Sequence, residues 1–278
     1  MPSRLHLYIA CGDEALLQNL DWRGPGVTRW RLSPAVLLLA AMLGPGSLSA
    51  RADEIRIAVA SNFSRASEAL AERFEQQSGH EVLLAFASTG KHYAQIRNGA
   101  PFDAFFAADE MRPRLLEEEG LAVPASRFTY ALGTLVLWSR QADLVDSAGS
   151  VLEDGDFRFL AIANPKLAPY GRAAREVLEQ RGLWQNLQDR LVLGENIGQA
   201  YQFVASGNAE LGFVALSQVE APGQFVQGSL WKIPKGIYSP IEQQAVLVRD
   251  NSVARDFLAF VKSGEGRRLI RSNGYGTP

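Results

Sequence analysis

Four times between residues 55 and 204 the chain stops a short apolar run or a rigid loop at small, turn-forming residues and passes at once into a helical pattern: at Ser61-Asn62, Ser88-Thr89, Pro169-Tyr170-Gly171 and Asn196-Ile197. Repeated strand-to-helix junctions of this kind call for a mostly parallel sheet covered by crossover helices. They also leave helix-start N–H groups without partners, with the positive end of the helix dipole behind them. That is an anion-binding geometry. One junction alone is an ordinary N-cap. Four of them, at the carboxyl ends of strands where ligands of open α/β sheets bind, point to an oxyanion.

The order of patterns gives an expected architecture. Strands are expected at Ile55–Val59, Glu81–Phe86 and Ala104–Ala107, with helices at Ser64–Gln77, Lys91–Arg97 and Arg112–Glu119. Tyr130 to Trp138 reads as one long β-prone run in which the chain crosses into a second lobe. There, strands are expected at Phe159–Ala163, Leu191–Leu193 and Ala209–Leu216. A rigid loop from Asn164 to Gly171 opens a helix at about Arg172, and a further helix carries Ala200, Phe203 and Val204. Trp231–Pro234 and Ile241–Val248 read as strands returning to the first lobe, and Ser252–Lys262 as a closing amphipathic helix. The expected fold class is therefore α/β, with two lobes, each a mixed and mostly parallel sheet flanked by helices, joined by a two-strand hinge. Residues 53–134 form the first part of lobe 1, residues 135–237 lobe 2, and residues 238–278 the return to lobe 1.

Residues 1–52 read as a leader. Arg23, Arg29 and Arg31 precede an apolar run, Ala35 to Leu43, and then Ala50-Arg51-Ala52, the layout of a signal peptide cleaved after Ala52. The run is shorter than the roughly twenty apolar residues that span a bilayer. Asp13, Glu14 and Asp21 are unwelcome in a basic n-region, so the expected translation start is near Val27. The net charge of the whole chain is −2. Losing residues 1–52 removes five of 28 basic and three of 30 acidic side chains, leaving −4. Neither value suits a nucleic-acid or anionic membrane surface. An acidic protein that captures an anion does so with local dipoles and hydrogen bonds. The single Cys11 lies in the leader, and His80 and His92 stand in no metal-ligand spacing.

The hydroxyls of Ser61 and Thr89, the Asn62 amide and backbone N–H groups from both lobes are the expected donors. Each such bond to an anion contributes about 1.5–3 kcal/mol. Two alternatives stand beside this reading: a binder of a different oxyanion, and a secreted enzyme acting on a phosphate or other ester through a Ser/Thr-centred site. Ser61, Ser88 or Thr89 would be the nucleophile, with Lys91 as the best-placed base and Asp103 with Asp109 as a candidate acid–base pair. None lies in a G-x-S-x-G or S-x-x-K motif.

Ala58-Val59-Ala60-Ser61-Asn62, Phe86-Ala87-Ser88-Thr89-Gly90, Gln95 to Pro101, Ala107-Ala108-Asp109, Ala163-Asn164-Pro165 with Pro169-Tyr170-Gly171, Gly194-Glu195-Asn196-Ile197 and Leu211-Gly212-Phe213-Val214 follow one another in a recognisable order. As a set they resemble the periplasmic molybdate-binding proteins of ABC importers. The resemblance implies a type II periplasmic-binding fold that closes on molybdate or tungstate, delivers it to an inner-membrane permease, acts as a monomer, and uses no cofactor and no catalysis. It implies ligand contacts from Ser61 and Asn62, from Thr89 with Ser88 beside it, and from the backbone donors of Tyr170 and Ile197. Many members have a tyrosine where this chain has Ala215. The expectation drawn from that departure is that the Tyr170 phenol supplies the missing hydroxyl.

Overall fold

The computed structural model describes residues 53–220 and 227–278; the leader and its cleavage point after Ala52 lie outside the described residues. The chain runs through β1 (Glu54–Ala60), a short 3-10 turn (Ser61–Phe63), α1 (Ser64–Ser78), β2 (Glu81–Ala87), α2 (Thr89–Arg97), β3 (Ala104–Phe106), α3 (Met111–Glu118) and β4 (Phe128–Gly133). It continues with β5 (Leu135–Ser139), α4 (Val151–Asp154), β6 (Leu160–Ala163), α5 (Pro169–Gln180), β7 (Leu191–Gly194), α6 (Ile197–Ala205), β8 (Leu211–Ala215) and α7 (Leu216–Val219). The last elements are β9 (Ser229–Lys232), β10 (Ile241–Leu247), α8 (Ser252–Lys262) and α9 (Gly264–Ser272).

Two five-stranded sheets result, ordered β2-β1-β3-β10-β4 and β7-β6-β8-β5-β9. In the first, β1 pairs in parallel with β2 and β3, while β10 runs antiparallel between β3 and β4. In the second, β6 pairs in parallel with β7 and β8, and β5 runs antiparallel between β8 and β9. The inner strands are apolar on both faces because helices cover both. Thus Ile57 and Val59 of β1 join one core cluster with α1 and α8, and Ala58 joins another with Ile96 and Leu116. The second sheet is likewise packed on each face. This is the two-lobed α/β architecture that the pattern of the chain called for.

Four details differ from the sequence reading. The run Tyr130–Trp138 is two strands, β4 in one sheet and β5 in the other, parted at Thr134. The change of sheet falls within the run in which the crossing into the second lobe was expected; what differs is that the run is two strands, not one. Trp231 belongs to the second sheet, not to a strand returning to the first: it lies opposite Leu137 of β5, its ring under the Arg181 guanidinium at 4.2 Å. Without β9, the apolar β5 would be an open edge. Helix α5 begins at Pro169 rather than Arg172, because proline's fixed φ and missing N–H suit a first helical position. Tyr170 and Gly171 therefore sit in its first turn. The short helices α4 and α7 and the C-terminal α9 were not anticipated.

Candidate functional site

The carboxyl ends of β1, β2, β6 and β7 carry the four junctions, and the fold turns them towards one another. Phe63 anchors the first. It is fully buried, with Tyr130 at 4.6 Å and Tyr275 at 5.2 Å between ring centres, burial that contributes about 1.5–3 kcal/mol. At the second, Ser88 is the N-cap of α2 and accepts from the Lys91 N–H at 3.3 Å. At the fourth, Asn196 caps α6 by accepting from the Gln199 N–H at 3.0 Å. Ser61, Asn62, Ser88, Thr89, Tyr170 and Ile197 all line one cavity, together with Ala60, Ala87, Ala108, Ala168 and Pro169. Its empty volume is about 180 Å³, open solvent at its mouth included. The alanines, which the sequence did not single out, keep the walls close.

Apart from Asn62 Oδ1, the polar groups this cavity offers are donors. Ser61 Oγ accepts from the Gly198 N–H at 3.3 Å across the lobes, and Thr89 Oγ1 accepts from the Ala108 N–H at 3.0 Å. With Ser88, three hydroxyl oxygens are thus held by backbone N–H groups, and among the described residues no acceptor takes any of their protons. The N–H groups of Thr89, Tyr170 and Ile197 are in first helical turns, where no i−4 carbonyl can meet them. Among the lining residues there is no Lys, Arg, His, Asp or Glu.

Asn62 and Tyr170 are committed differently from expectation. Asn62 Nδ2 donates to Gln243 Oε1 at 2.8 Å and to Tyr275 Oη at 3.2 Å, while Asn62 Oδ1 is buried without a partner among the described residues. The Tyr170 hydroxyl accepts from Gln243 Nε2 at 3.3 Å. Burial holds the Tyr130 and Tyr170 phenols well above the ordinary tyrosine range and pushes Tyr275 up to about 12, so all three stay protonated in water near neutrality. Gln243, Tyr130 and Tyr275 lay outside the sequence reading, since they come from distant strands and a C-terminal tail with no motif.

The lobes touch around the cavity. The Gly90 N–H donates to the Leu167 carbonyl at 2.8 Å, Lys91 meets Glu195 at 3.3 Å, and Arg65 donates to the Ser217 carbonyl. Asp103 and Asp109 do not form a pair. Asp103 accepts from the Arg56 N–H and pairs with Arg249 at 2.9 Å, whereas Asp109 caps and pairs with Arg112. Lys91 is exposed and engaged with Glu195, not aimed at Thr89. His92 is buried against the Val59 carbonyl, and burial lowers its pKa, keeping the ring neutral. Among the described residues no cluster of His, Cys, Asp and Glu could hold a metal ion.

Comparison with known proteins agrees with this geometry. The family model described as bacterial extracellular solute-binding protein matches residues 55–276. The molybdate-binding protein ModA of Azotobacter vinelandii is 48% identical over 243 residues, covering 86% of this chain and 96% of the relative. Its counterpart from Rhodobacter capsulatus is 45% identical, covering 83% and 91%. The solved structure of the Azotobacter vinelandii periplasmic molybdate-binding protein superposes with a TM-score of 0.78 at 43% identity, covering 81% of this chain and 99% of that one. These relatives are binding proteins, not enzymes. With a family model that spans nearly all of the described chain and relatives at this identity, the protein belongs to the bacterial extracellular solute-binding proteins.

Proposed function

We propose that this protein captures molybdate, or tungstate of like size and charge, in the periplasm and delivers it to an ABC-type permease of the inner membrane. The observation that carries the proposal is the cavity's set of donors: Ser61, Ser88 and Thr89 hydroxyls, each with its oxygen already engaged, and helix-start N–H groups at Thr89, Tyr170 and Ile197. Asn62 completes the set. A fully deprotonated dianion accepts from every such group. Phosphate carries a proton near neutrality and would need an acceptor, and sulfate is smaller, so donors spaced for the larger ion would reach it through long, weak bonds. The relatives named for molybdate support the choice of ion. A nucleophilic enzyme is disfavoured because no Lys, His, Asp or Glu lines the cavity with the three hydroxyls, and burial keeps the Tyr170 phenol protonated. We further propose cleavage after Ala52, lobes comprising residues 53–134 with 238–278 and residues 135–237, a monomeric state, and no nucleic-acid partner.

Calorimetric titration of the mature protein tests the function. Molybdate and tungstate should bind tightly, while sulfate and phosphate should give no saturable heat at the same concentrations. Tight sulfate binding without molybdate binding would overturn the assignment.

Closure of the lobes over the ion makes a separate prediction at Gly90. A Cβ there would lie 2.9 Å from the Leu167 carbonyl oxygen, backbone of the opposite lobe. Gly90→Ala should leave the thermal midpoint of the ligand-free protein unchanged and weaken molybdate about tenfold, since overpacking of about 1–2 kcal/mol acts on the closed form alone. Stopped-flow measurement should place the loss in the dissociation rate.

A further inference from the structure

Gln243 is a fully buried carboxamide between Glu242 and Gln244 of β10, at the register shift between Gln243 and Gln244. Such irregularities re-aim side chains, and an unmet amide is costly to bury. Its contacts reach three other elements. Gln243 Oε1 receives Asn62 Nδ2 at 2.8 Å and the Tyr130 hydroxyl at 3.1 Å, and Nε2 donates to the Tyr170 hydroxyl of the other lobe at 3.3 Å. In this arrangement Asn62 Oδ1 is left without a partner among the described residues. Its partner must then come from the cavity that Asn62 lines, and an oxyanion has no proton to offer it.

The same heavy-atom positions admit one other arrangement, with both carboxamides turned by 180°. Gln243 then donates to Asn62 Oδ1 and to Tyr130, whose single proton goes to the Ala107 carbonyl at 3.1 Å. The Tyr170 hydroxyl donates to Gln243, and the former orphan position of Asn62 becomes an NH donor. Only the 3.2 Å contact to Tyr275 is weakened, its proton now shared between the two oxygens of Asn62. An anion in the cavity selects this second arrangement.

We propose that Gln243 is the positioning residue of the site: its carboxamide sets which end of the Asn62 amide faces the cavity and at the same time clasps Tyr170 across the lobes. The same carboxamide thus serves the cavity and the contact between the lobes. The Tyr170 hydroxyl serves as a latch on Gln243, in place of the direct ligand role expected from the sequence. The inference rests on reading the cavity as an oxyanion site.

Gln243→Glu tests it in the full mature protein, titrated with sodium molybdate between pH 5.5 and 9 beside the wild type. The ionised carboxylate only accepts, so it holds Asn62 in the first arrangement and sets a charge near the ion. Affinity should fall about 100-fold at high pH, the upper range for losing a hydrogen bond to a charged group, and recover towards wild type as the introduced carboxyl is protonated. The groups facing position 243 are Asn62 and the phenols of Tyr130 and Tyr170, with Tyr275 behind Asn62. The charges acting on those phenols are Asp109 and Arg65. A merely structural role would give a deficit independent of pH, and that result, or wild-type affinity throughout, would overturn the proposal. Tyr170→Phe provides a second test that leaves position 243 intact: dissociation should speed up about tenfold, one hydrogen bond's worth, with association within about twofold. Unchanged dissociation would overturn the latch. A wild type that binds neither molybdate nor tungstate would overturn the functional reading itself.

Discussion

Thr89→Val should weaken molybdate binding by about 10- to 150-fold, the equivalent of the roughly 1.5–3 kcal/mol that a hydrogen bond to a charged group contributes. Valine keeps the shape of threonine, and the site is too closed for water to replace the hydroxyl, since Thr89 is 1% exposed. The substitution also strands the Ala108 N–H, which donates to Thr89 Oγ1 at 3.0 Å. That loss is present with and without ligand, so it lowers stability by about 1–3 kcal/mol without entering the affinity. Calorimetry and thermal unfolding read the two effects separately. Thr89→Ser, which retains the hydroxyl, should recover most of both, and a serine variant as weak as the valine one would refute the assignment of the hydroxyl as donor.

Gly171→Ala should remove molybdate binding from the measurable range and lower the thermal midpoint together. A Cβ at this position would be driven into the Ala163 carbonyl and lie 3.0 Å from Asn164 C, the end of β6. Neither partner is a flexible side chain that could move aside. The first turn of α5 must shift outward, taking the Tyr170 N–H with it and opening the second lobe's half of the cavity. Overpacking of this kind costs about 1–3 kcal/mol or more, and the donor set is displaced as well. The joint loss distinguishes Gly171 from Gly90, whose close neighbour belongs to the other lobe and whose replacement should spare the unliganded protein. A Gly171→Ala protein with wild-type affinity would mean that α5 does not place a ligand-binding donor.

Much of this was legible because it is local. Ser88 before Lys91 and Asn196 before Gln199 have the spacing of N-caps, and both form those bonds. The apolar runs around Ile57, Ile162 and Val214 read as buried strands because helices cover both faces of each sheet. Even the four junctions could be assembled from the sequence, since parallel strands bring their carboxyl ends to one side. What was misread depends on partners far away in the chain. Trp231 resembles a returning strand until β5 is known to lack a neighbour. The partner of the Tyr170 phenol, Gln243, likewise lies 73 positions away, beyond the reach of any local pattern.

The strand–helix alternation, the helix caps and the neutral, hydroxyl-rich composition of the junctions follow from the order of residues, because periodicity and capping act over a few positions. The place of Trp231 beside β5, the contact of Gly90 with Leu167, and the linkage of Asn62, Gln243 and Tyr170 were settled only when whole sheets and the two lobes came together. Hydrogen bonds between buried side chains reflect proximity in space, and proximity between residues as far apart as 62 and 243 is decided by the packing of whole sheets.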